Sequence, residues 1–505
     1  MHLETKESPI PMNRPTETTP RTELPRVLGP IQAFCVVVGS VIGSGIFLVP
    51  ARVAHEVPNL SGVLVVWIVG GLFSAAGALT LAELGAMLPR AGGLYVYLRE
   101  AYGPLPAFLF GWVEFLVART GSMATLAAAF ARYFAQLAPP PAPIPGELWQ
   151  AGAAVTAIAV VVVVNVLGTR GGGALQVVGT VLKVGGVLGL MSLPFVTGGG
   201  STANFAPFWP EQGSSGLVLG MAAAMVSVLW AYDGWTNVTP LAEEIHEPGK
   251  NIPRALIMGM AVLVLVYISM TLAYHYVLPW SAIADTGRAA KGGVENAVAA
   301  IYCKSLIGQK GVVAISILVM CSTFISLNGN ALSGPRAYFA MARDGVFPAR
   351  LGRVHAVHET PAAAIIAQGV WAIALTILGT VLILVPPPTG TSLPRPILAV
   401  WATLNQTPLY DLLYTYVVFG ANLFYMLAIS SVFVLRVKRP DLHRPYRTLG
   451  YPVTPIVYVV ASLFLLGSMI GDHKSQAQSL AGLGIIVLGV PAYWYFRARG
   501  RVATG

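Results

Sequence analysis

The chain has 505 residues, of which 55% are hydrophobic and only 10% are charged. Soluble proteins carry roughly 25% charged residues, so this composition excludes an ordinary soluble domain and predicts a protein mostly in contact with lipid. The net charge of +10 comes from basic residues scattered between apolar runs, which argues against nucleic-acid binding. The three cysteines, Cys35, Cys303 and Cys321, show no metal-ligand spacing and no disulfide framework. We therefore expect no metal and no cofactor.

Twelve apolar segments follow one another along the chain, most of them close to the length that crosses a hydrocarbon core of roughly 30 Å. They predict an all-α membrane protein with twelve transmembrane helices. The predicted spans lie near 31–54, 61–88, 105–137, 149–167, 174–196, 215–246, 254–279, 309–340, 361–385, 409–436, 452–471 and 478–497.

The segments outside the spans predict the orientation. Residues 1–29 are polar and proline-rich with no apolar segment after a basic start, which predicts a disordered tail rather than a signal peptide. Basic residues concentrate in alternate loops, above all between Arg436 and Arg447, whereas the loops 138–148 and 197–214 contain none. By the positive-inside rule both termini are cytoplasmic, in a cell (inner) membrane.

Two loops are longer than a minimal helical bundle requires. Residues 280–308 carry a partly helical pattern, which predicts an external helix across the mouth of the protein. Residues 386–407 are rich in proline and threonine and predict an exposed loop.

The first span contains the sequence GSVIGSGIF, from Gly39 to Phe47. Glycine in a helix costs about 1 kcal/mol relative to alanine. In lipid, freed backbone groups also find no water. The stretch therefore predicts a broken helix facing protein or a polar cavity. The alternative is a close helix–helix contact, for which small residues also serve.

The sixth span contains a second irregularity, WAYDGWTN, from Trp230 to Asn237. It places Asp233 at mid-depth, where a carboxylate costs about 2.5–3.5 kcal/mol on insertion scales and is expected to face a cavity or a partner. Broken spans at matching places in two halves of five spans are typical of an inverted-repeat transporter. Half-helix N–H groups attract an anion and unwound carbonyls attract a cation, so together they can hold a zwitterion such as an amino acid.

Five motifs carry a resemblance over nearly the whole transmembrane region. They are GSVIGSGIF (39–47), AELGAMLPRAGGLYVYLREAYG (82–103), WAYDGWTNVTPLAEEIHEPGKNIPRAL (230–256), LNGNALSGPRAYFAMARDGVFP (327–348) and VLRVKRPDLHRPYRTLGYP (434–452). With them the chain resembles the amino acid–polyamine–organocation (APC) superfamily, and within it the L-type amino acid transporter (LAT) branch, in its stand-alone prokaryotic form.

The resemblance implies a LeuT-like 5+5 inverted repeat with broken helices 1 and 6. The repeats are expected near 30–196 and 215–436, within a transporter core of residues 30–440. Residues 441–505 would then hold helices 11 and 12 and a cytoplasmic tail. Animal members join a heavy chain through a cysteine between spans three and four. The corresponding loop here, 138–147, has no cysteine, so no disulfide-linked heavy chain is expected.

In this family the first-span loop holds the substrate through its backbone. The matching residues here are Gly43, Ser44 and Gly45, whose N–H groups would bind the substrate carboxylate, and Val41 and Ile42, whose carbonyls would accept from the amine. Glycine suits this role because a side chain would keep the ligand away from the backbone.

The sixth and eighth spans are expected to complete the site. Trp230 matches an aromatic gate over the substrate, with ordinary packing as the alternative. Ala231 and Asp233 match positions near the amine. The Asp233 carboxylate would favour cationic or strongly hydrogen-bonding substrates, or else neutralise a nearby lysine or titrate during transport. Asn328 matches a polar position bordering the site, with a helix–helix hydrogen bond as the alternative.

Lys183 lies in the middle of the fifth span, where a charged group needs polar partners or a neutral state. The family places a lysine where sodium-coupled transporters of this fold bind a cation, linking the fifth span to the first and eighth. This implies sodium-independent transport, with Lys183 and Asp233 as coupling residues. Proton coupling stays open as an alternative.

Other charges are predicted to pair within the membrane protein. Glu114 and Arg119 read as an internal pair in the third span. The acidic residues at 243–244 could join Arg254 or Arg336 in an inner gate, or lie on a hydrated helix end.

These observations predict a sodium-independent amino acid transporter that works by alternating access, as an exchanger. Its substrates would be neutral and/or cationic amino acids. The alternative is a proton-coupled amino acid symporter. A sensor would require a soluble signalling domain, and an enzyme would require clustered histidine and acidic residues. The sequence shows neither, and it has no nucleotide-binding motif.

Overall fold

The structure, a computed structural model, describes residues 23–209, 216–288, 297–385, 409–471 and 476–503. Its regular elements within these ranges are helices. All twelve predicted spans occur as helical segments: Pro30–Glu56, Leu60–Met87, Pro104–Leu137, Gly146–Leu167, Thr169–Thr197, Leu217–Glu244, Pro248–Val277, Gln309–Arg343, Ala362–Leu384, Leu409–Lys438, Val453–Gly471 and Gln476–Ala503.

The predicted fold class is confirmed. Among the residues that the structure describes, eleven of these segments are long and apolar enough to cross a membrane. The twelfth, Gln476–Ala503, is a 28-residue helix at the predicted position. A short helix, Leu94–Tyr102, connects the second span to the third.

The first and sixth spans are broken where the sequence predicts. In the first span the helix ends at Val41 and resumes at Gly45. In the sixth span the α-helix ends at Tyr232 and continues as a 3₁₀-helix from Trp235 to Glu244. The first half of each broken span packs against the second half of the other. This reciprocal pairing is the arrangement that an inverted repeat produces.

Glycine allows the two breaks to touch. A Cβ on Gly45 would lie only 2.7 Å from the Cα of Ala231 in the sixth span. Gly234 has φ +114°, which L side chains rarely adopt, and a Cβ there would lie 3.1 Å from the carbonyl carbon of Ser40. The break and the close helix–helix contact, which the sequence presents as alternatives, therefore occur together.

The chain before the first span is more ordered than predicted. Residues 1–22 lie outside the described residues, but Val27 and Leu28 both donate backbone N–H bonds of 2.9 Å to the carbonyl of Glu244. Leu28 also forms a parallel bridge with Ile245. The predicted tail boundary at residue 29 is thus too late, because this segment is hydrogen-bonded to the end of the sixth span.

The structure describes only one of the two long loops that the sequence predicts. The loop predicted at 280–308 contains two helices, Trp280–Arg288 and Val298–Ile307, with 289–296 outside the described residues. The first of these helices packs against the second half of the first span. The loop predicted at 386–407 lies outside the described residues.

Candidate functional site

Lys183 connects three spans at the level of the first break. Its fully buried ammonium donates hydrogen bonds to the carbonyls of Gly39 (2.7 Å), Ile42 (2.6 Å) and Ser322 (2.8 Å). The hydroxyl of Ser326 lies 3.1 Å from the same nitrogen. The structure therefore places Lys183 between the first and eighth spans, as the resemblance implies. Its role in coupling stays a prediction.

Two serines of the eighth span surround the same carbonyls. The Ser322 hydroxyl lies 2.8 Å from the Ile42 oxygen, and the Ser326 hydroxyl lies 3.2 Å from it. With Lys183, three protein donors surround the Ile42 oxygen, which has two lone pairs. Each serine hydroxyl also lies 3.1 Å from a second carbonyl and has one hydrogen to donate, so the contact of Ile42 with a substrate amine stays a prediction. The sequence analysis missed both serines, although their spacing of four residues puts them on one helix face.

Tyr267, in the seventh span, bridges the two breaks. Its hydroxyl lies 2.9 Å from the carbonyl of Val41 and 2.9 Å from the carbonyl of Ala231. Trp67 and Tyr232 pack around its ring, with centroids at 5.4 Å and 4.9 Å. A hydroxyl has one hydrogen and can donate to only one carbonyl at a time. The other carbonyl is left as an acceptor for a bound amine.

Replacing Tyr267 with phenylalanine is expected to weaken substrate binding about fivefold to tenfold. The variant loses one neutral hydrogen bond, worth about 1 kcal/mol, at the position where the two breaks meet. Substrate concentration dependence of exchange measures the effect as a rise in KM. Tyr276→Phe on the same helix, where the Tyr276 ring stacks on Phe195 at 5.7 Å, is the matched control. An unchanged KM in Tyr267→Phe would contradict this role.

The second half of the first span begins at the predicted carboxylate site. Ser44 immediately precedes this half-helix and Gly45 is its first residue; both are buried. The first N–H groups of a helix have no partner within the helix, and its dipole favours an anion there. Gly43, just before them, donates its N–H to the carbonyl of Val41 at 2.7 Å. The roles of Gly43, Ser44 and Gly45 stay predictions.

Two of the predicted site residues lie at the sixth break. Trp230 lies in the last turn of the first half-helix and is 9% exposed. Asp233 directly follows this half-helix, and its carboxylate accepts a 3.1 Å hydrogen bond from the hydroxyl of Tyr425 in the tenth span. Thr236 donates in turn to the Tyr425 oxygen at 3.3 Å. Asp233 is not among the four acceptors of Lys183, so the suggested pairing with that lysine does not occur here.

The side chain of Asn328 is hydrogen-bonded to the fourth and fifth spans. Its amide donates to the Gly172 carbonyl at 3.1 Å and to the Gln176 side chain at 2.8 Å. Its oxygen accepts from Asn165 at 2.8 Å. These are helix–helix hydrogen bonds among the fourth, fifth and eighth spans, as the alternative reading of Asn328 anticipates. Its role at the substrate stays a prediction without a supporting contact.

Comparison with known protein families decides the identification. The model of the family described as "Amino acid permease" matches residues 28–490. The chain belongs to this amino acid permease family.

Several curated relatives are similar to this permease over most of their length. The serine/threonine exchanger SteT of Bacillus subtilis (strain 168) is 30% identical over 94% of this chain and 98% of its own. The b(0,+)-type amino acid transporter 1 of Mus musculus is 30% identical over 88% of this chain and 82% of its own. The cystine/glutamate transporter of Homo sapiens is 29% identical over 94% and 86%. These relatives confirm the resemblance to LAT-type transporters. Their names are those of transporters and not of enzymes.

In this permease a buried arginine of the third span lies next to the unwound segment of the sixth span. Arg119 donates to Glu114 at 2.9 Å, which is the pair that the sequence predicts. Its guanidinium also contacts the side-chain oxygens of Asn237 and Asn330. The turn from Glu114 to Ala118 is π-helical, a feature found frequently at functional sites. Arg119 thus joins the third, sixth and eighth spans next to the unwound segment.

The end of the sixth span carries a second buried ion pair. Arg336 donates to the two oxygens of Glu244 at 2.8 Å and 3.1 Å, and both side chains have no exposed surface. Thr169, at the start of the fifth span, donates to Glu244 at 2.7 Å. Of the two arginines that the sequence analysis names, the structure selects Arg336 rather than Arg254. This pair holds the fifth, sixth and eighth spans together.

The sequence analysis missed a third ion pair. Glu83, fully buried in the second span, accepts from Arg436 at 2.7 Å and 3.0 Å. It also accepts from the backbone and hydroxyl of Thr448 at 2.7 Å and 2.8 Å. Arg436 stacks on the ring of Tyr451 with its Cζ at 3.6 Å from the ring centre. The cluster joins the second span to the tenth and to the loop before the eleventh.

Proposed function

We propose that this permease is a sodium-independent amino acid exchanger that works by alternating access. The observation that carries the proposal is the environment of Lys183, whose ammonium is surrounded by four oxygens of the first and eighth spans. Rings of carbonyl oxygens are how membrane proteins replace the hydration shell of a small cation. A fixed ammonium in such a cage removes the need for a transported sodium ion.

The substrate would lie between the two breaks. Its carboxylate would face the N–H groups of Ser44 and Gly45, at the positive end of a half-helix, and that of Gly43 once this group leaves the carbonyl of Val41. Its amine would take the carbonyl of Val41 or Ala231 that Tyr267 leaves free. This arrangement recognises the part that all amino acids share, and it leaves side-chain selection to the residues around Asp233.

The substrates are proposed to be neutral and/or cationic amino acids. The name of the serine/threonine exchanger supports neutral substrates, and the b(0,+) designation of a second relative fits neutral and cationic ones. A carboxylate at Asp233, beside the sixth break, supports the acceptance of positive charge.

The positions of the buried ion pairs suggest which parts of the transporter move. Residues 30–440 would form the transporter core, in which spans 1, 2, 6 and 7 rock against the rest. The Glu244–Arg336 and Glu83–Arg436 pairs join this bundle to the eighth and tenth spans. They lie at the ends of the spans that face the basic loops, so they would close the cytoplasmic side and separate when the site opens inward. Both termini would be cytoplasmic, and the chain would act in the cell membrane without a disulfide-linked heavy chain.

Counterflow in proteoliposomes tests the proposal. Vesicles loaded with each of the twenty amino acids in turn are given the labelled amino acid outside, at two pH values. We expect uptake that requires internal amino acid and that survives collapse of the proton gradient. Uptake into empty vesicles that depends on a proton gradient would contradict exchange.

Uptake driven by a proton gradient would favour the alternative function, a proton-coupled symporter. The specific observation in its favour is that the partners of Lys183 are neutral oxygens rather than a carboxylate. A buried lysine without a negative partner is the kind that can bind and release a proton.

A further inference from the structure

Glycines on one face of the fifth span receive large side chains of the eighth span. These glycines are seven residues apart, which is about two helical turns and places them on the same face. The contacting pairs are Gly172–Leu332, Gly179–Ile325 and Gly186–Leu318. A Cβ at Gly179 or Gly186 would overlap the side chain of its partner, and a Cβ at Gly172 would lie 3.3 Å from Leu332. The two spans therefore pack antiparallel along a repeating seam of small and large residues.

A seam that repeats every seven residues does not by itself fix the register of two helices. A shift by one repeat again places glycines opposite leucine or isoleucine. In coiled coils, which have the same repeat, one buried polar residue selects the register at a cost in stability. A polar contact within the seam can make the same selection between these two spans.

Gln176 and Asn328 form a polar pair within the seam. Both side chains are fully buried, and the Asn328 amide donates to the Gln176 side-chain oxygen at 2.8 Å. Asn328 also donates to the carbonyl of Gly172 at 3.1 Å and accepts from Asn165 at 2.8 Å. A shifted register would leave these groups buried among apolar side chains, and a buried polar group without a partner loses the full free energy of its hydration.

The Lys183 ammonium depends on the register of the same two spans. Lys183 follows Gln176 by seven residues and lies on the same face of the fifth span. From the eighth span it contacts the Ser322 carbonyl at 2.8 Å and the Ser326 hydroxyl at 3.1 Å. A shift by one residue moves a helix about 1.5 Å along its axis. Hydrogen bonds tolerate only about 0.5 Å of variation in length, so such a shift would break these contacts.

Gln176 also contacts the first span. Its amide lies 3.4 Å from the carbonyl of Cys35, and the Thr180 hydroxyl lies 3.2 Å from the same oxygen. Cys35 is one helical turn before Gly39, whose carbonyl accepts from Lys183 at 2.7 Å. Gln176 is therefore hydrogen-bonded to both of the spans that supply oxygens to the ammonium.

We infer that Gln176 and Asn328 are positioning residues for Lys183. Their hydrogen bond selects one register of the fifth and eighth spans, and this register brings the oxygens of Ser322 and Ser326 to the ammonium. Neither residue is among the four hydrogen-bond partners of Lys183, so both act through the helices that carry them. The inference rests on the proposed exchange, in which Lys183 takes the place of a cation.

Thermal unfolding of the purified protein tests the polar pair. Asn328→Leu and Gln176→Leu each leave a buried partner without its hydrogen bond, so each should lower the unfolding temperature. The double variant should recover most of this loss, because replacing both partners by apolar groups can be nearly neutral. Ser316→Ala removes a buried hydroxyl of the eighth span that is bonded within its own helix, and it is the matched control. Single variants as stable as this control would overturn the inference.

Initial rates of counterflow separate positioning from stability. The double variant Gln176→Leu with Asn328→Leu should exchange about tenfold more slowly than the wild type although its stability is recovered. This is the effect of losing about one hydrogen bond from a charged group. Ser316→Ala should exchange at the wild-type rate. A wild-type rate in the double leucine variant would mean that the pair only packs the helices, and it would overturn the inference.

Combination with Ser326→Ala tests whether the pair acts through the ammonium. Ser326→Ala alone removes one contact of Lys183 and should also slow exchange about tenfold. If the polar pair serves to place Ser326, the triple variant should be no slower than about tenfold, because that contact is already lost. A triple variant about 100-fold slower than the wild type would show that the residues act independently, against the inference.

The wild-type measurement distinguishes this inference from the proposed function. If the wild type exchanges amino acids and the double leucine variant does so at the same rate, only the positioning role is wrong. If the wild type shows no counterflow with any of the twenty amino acids, the exchange proposal is wrong and the positioning role falls with it.

Discussion

Lys183→Ala is expected to reduce amino acid exchange by at least about 100-fold. The wild-type ammonium makes four contacts of 2.6 to 3.1 Å, three of them to carbonyls, of which those of Gly39 and Ile42 lie beside the first break. A hydrogen bond from a charged group contributes about 1.5–3 kcal/mol, so the loss of two is enough for a 100-fold effect. Without the ammonium, the carbonyls of Gly39 and Ile42 lose their charged donor, and the fifth span loses the side chain that ties it to the first and eighth spans. Initial rates of counterflow measure the loss.

A matched substitution separates this effect from the general loss of a lysine. Lys304→Ala changes an exposed lysine in the short helix Val298–Ile307 and should leave the rate unchanged. Adding sodium to Lys183→Ala is a further test, because this variant leaves the surrounding oxygens without a cation. Partial recovery of Lys183→Ala by sodium, absent in the wild type, would support the idea that the ammonium replaces an ion. Normal exchange by Lys183→Ala would show that the proposed role is wrong.

The second large effect is expected at the Glu244–Arg336 pair. Both side chains are fully buried, so Glu244→Gln or Arg336→Met leaves an uncompensated charge without water. Removing one partner of a buried ion pair costs about 3–5 kcal/mol. Each single variant should therefore unfold at a clearly lower temperature than the wild type. The double variant Glu244→Met with Arg336→Met should lose less than the sum of the two, since it leaves no unpaired charge.

Thermal unfolding in detergent measures the stability, and counterflow measures the consequence for transport. The exposed pair of Glu247 and Lys250, at 2.8 Å, provides the control, and Glu247→Gln should leave the unfolding temperature unchanged. If the single variants at Glu244 and Arg336 were as stable as that control, the pair would not hold the end of the sixth span.

The sequence predicts the spans and both breaks because these features are local. Hydrophobic length locates the twelve helices, and the clustered glycines of the first span and the aspartate–glycine pair of the sixth mark the places where a helix cannot continue in lipid. The segment before Pro30 shows the limit of this reasoning. Its composition is that of a tail, yet Leu28 is fixed by hydrogen bonds to residues more than 200 positions away.

The contacts that complete the site depend on tertiary structure. Nothing in the seventh span distinguishes Tyr267 from other buried tyrosines until Val41 and Ala231 are brought to its hydroxyl. Asn328 shows the opposite case, since its polar character indicates a site while its contacts belong to helix packing. Glu83 and Arg436 are 353 residues apart in the chain, a separation that local patterns do not bridge.

Counterflow with sodium replaced by choline tests the central claim most directly. Vesicles loaded with an amino acid identified by the twenty-member panel receive the same labelled amino acid, with equal pH on both sides and with either sodium chloride or choline chloride. If the Lys183 ammonium takes the place of a transported cation, the initial rates are equal in the two salts. A rate that falls to background in choline would contradict the account, because a sodium ion would then be required in addition to the lysine.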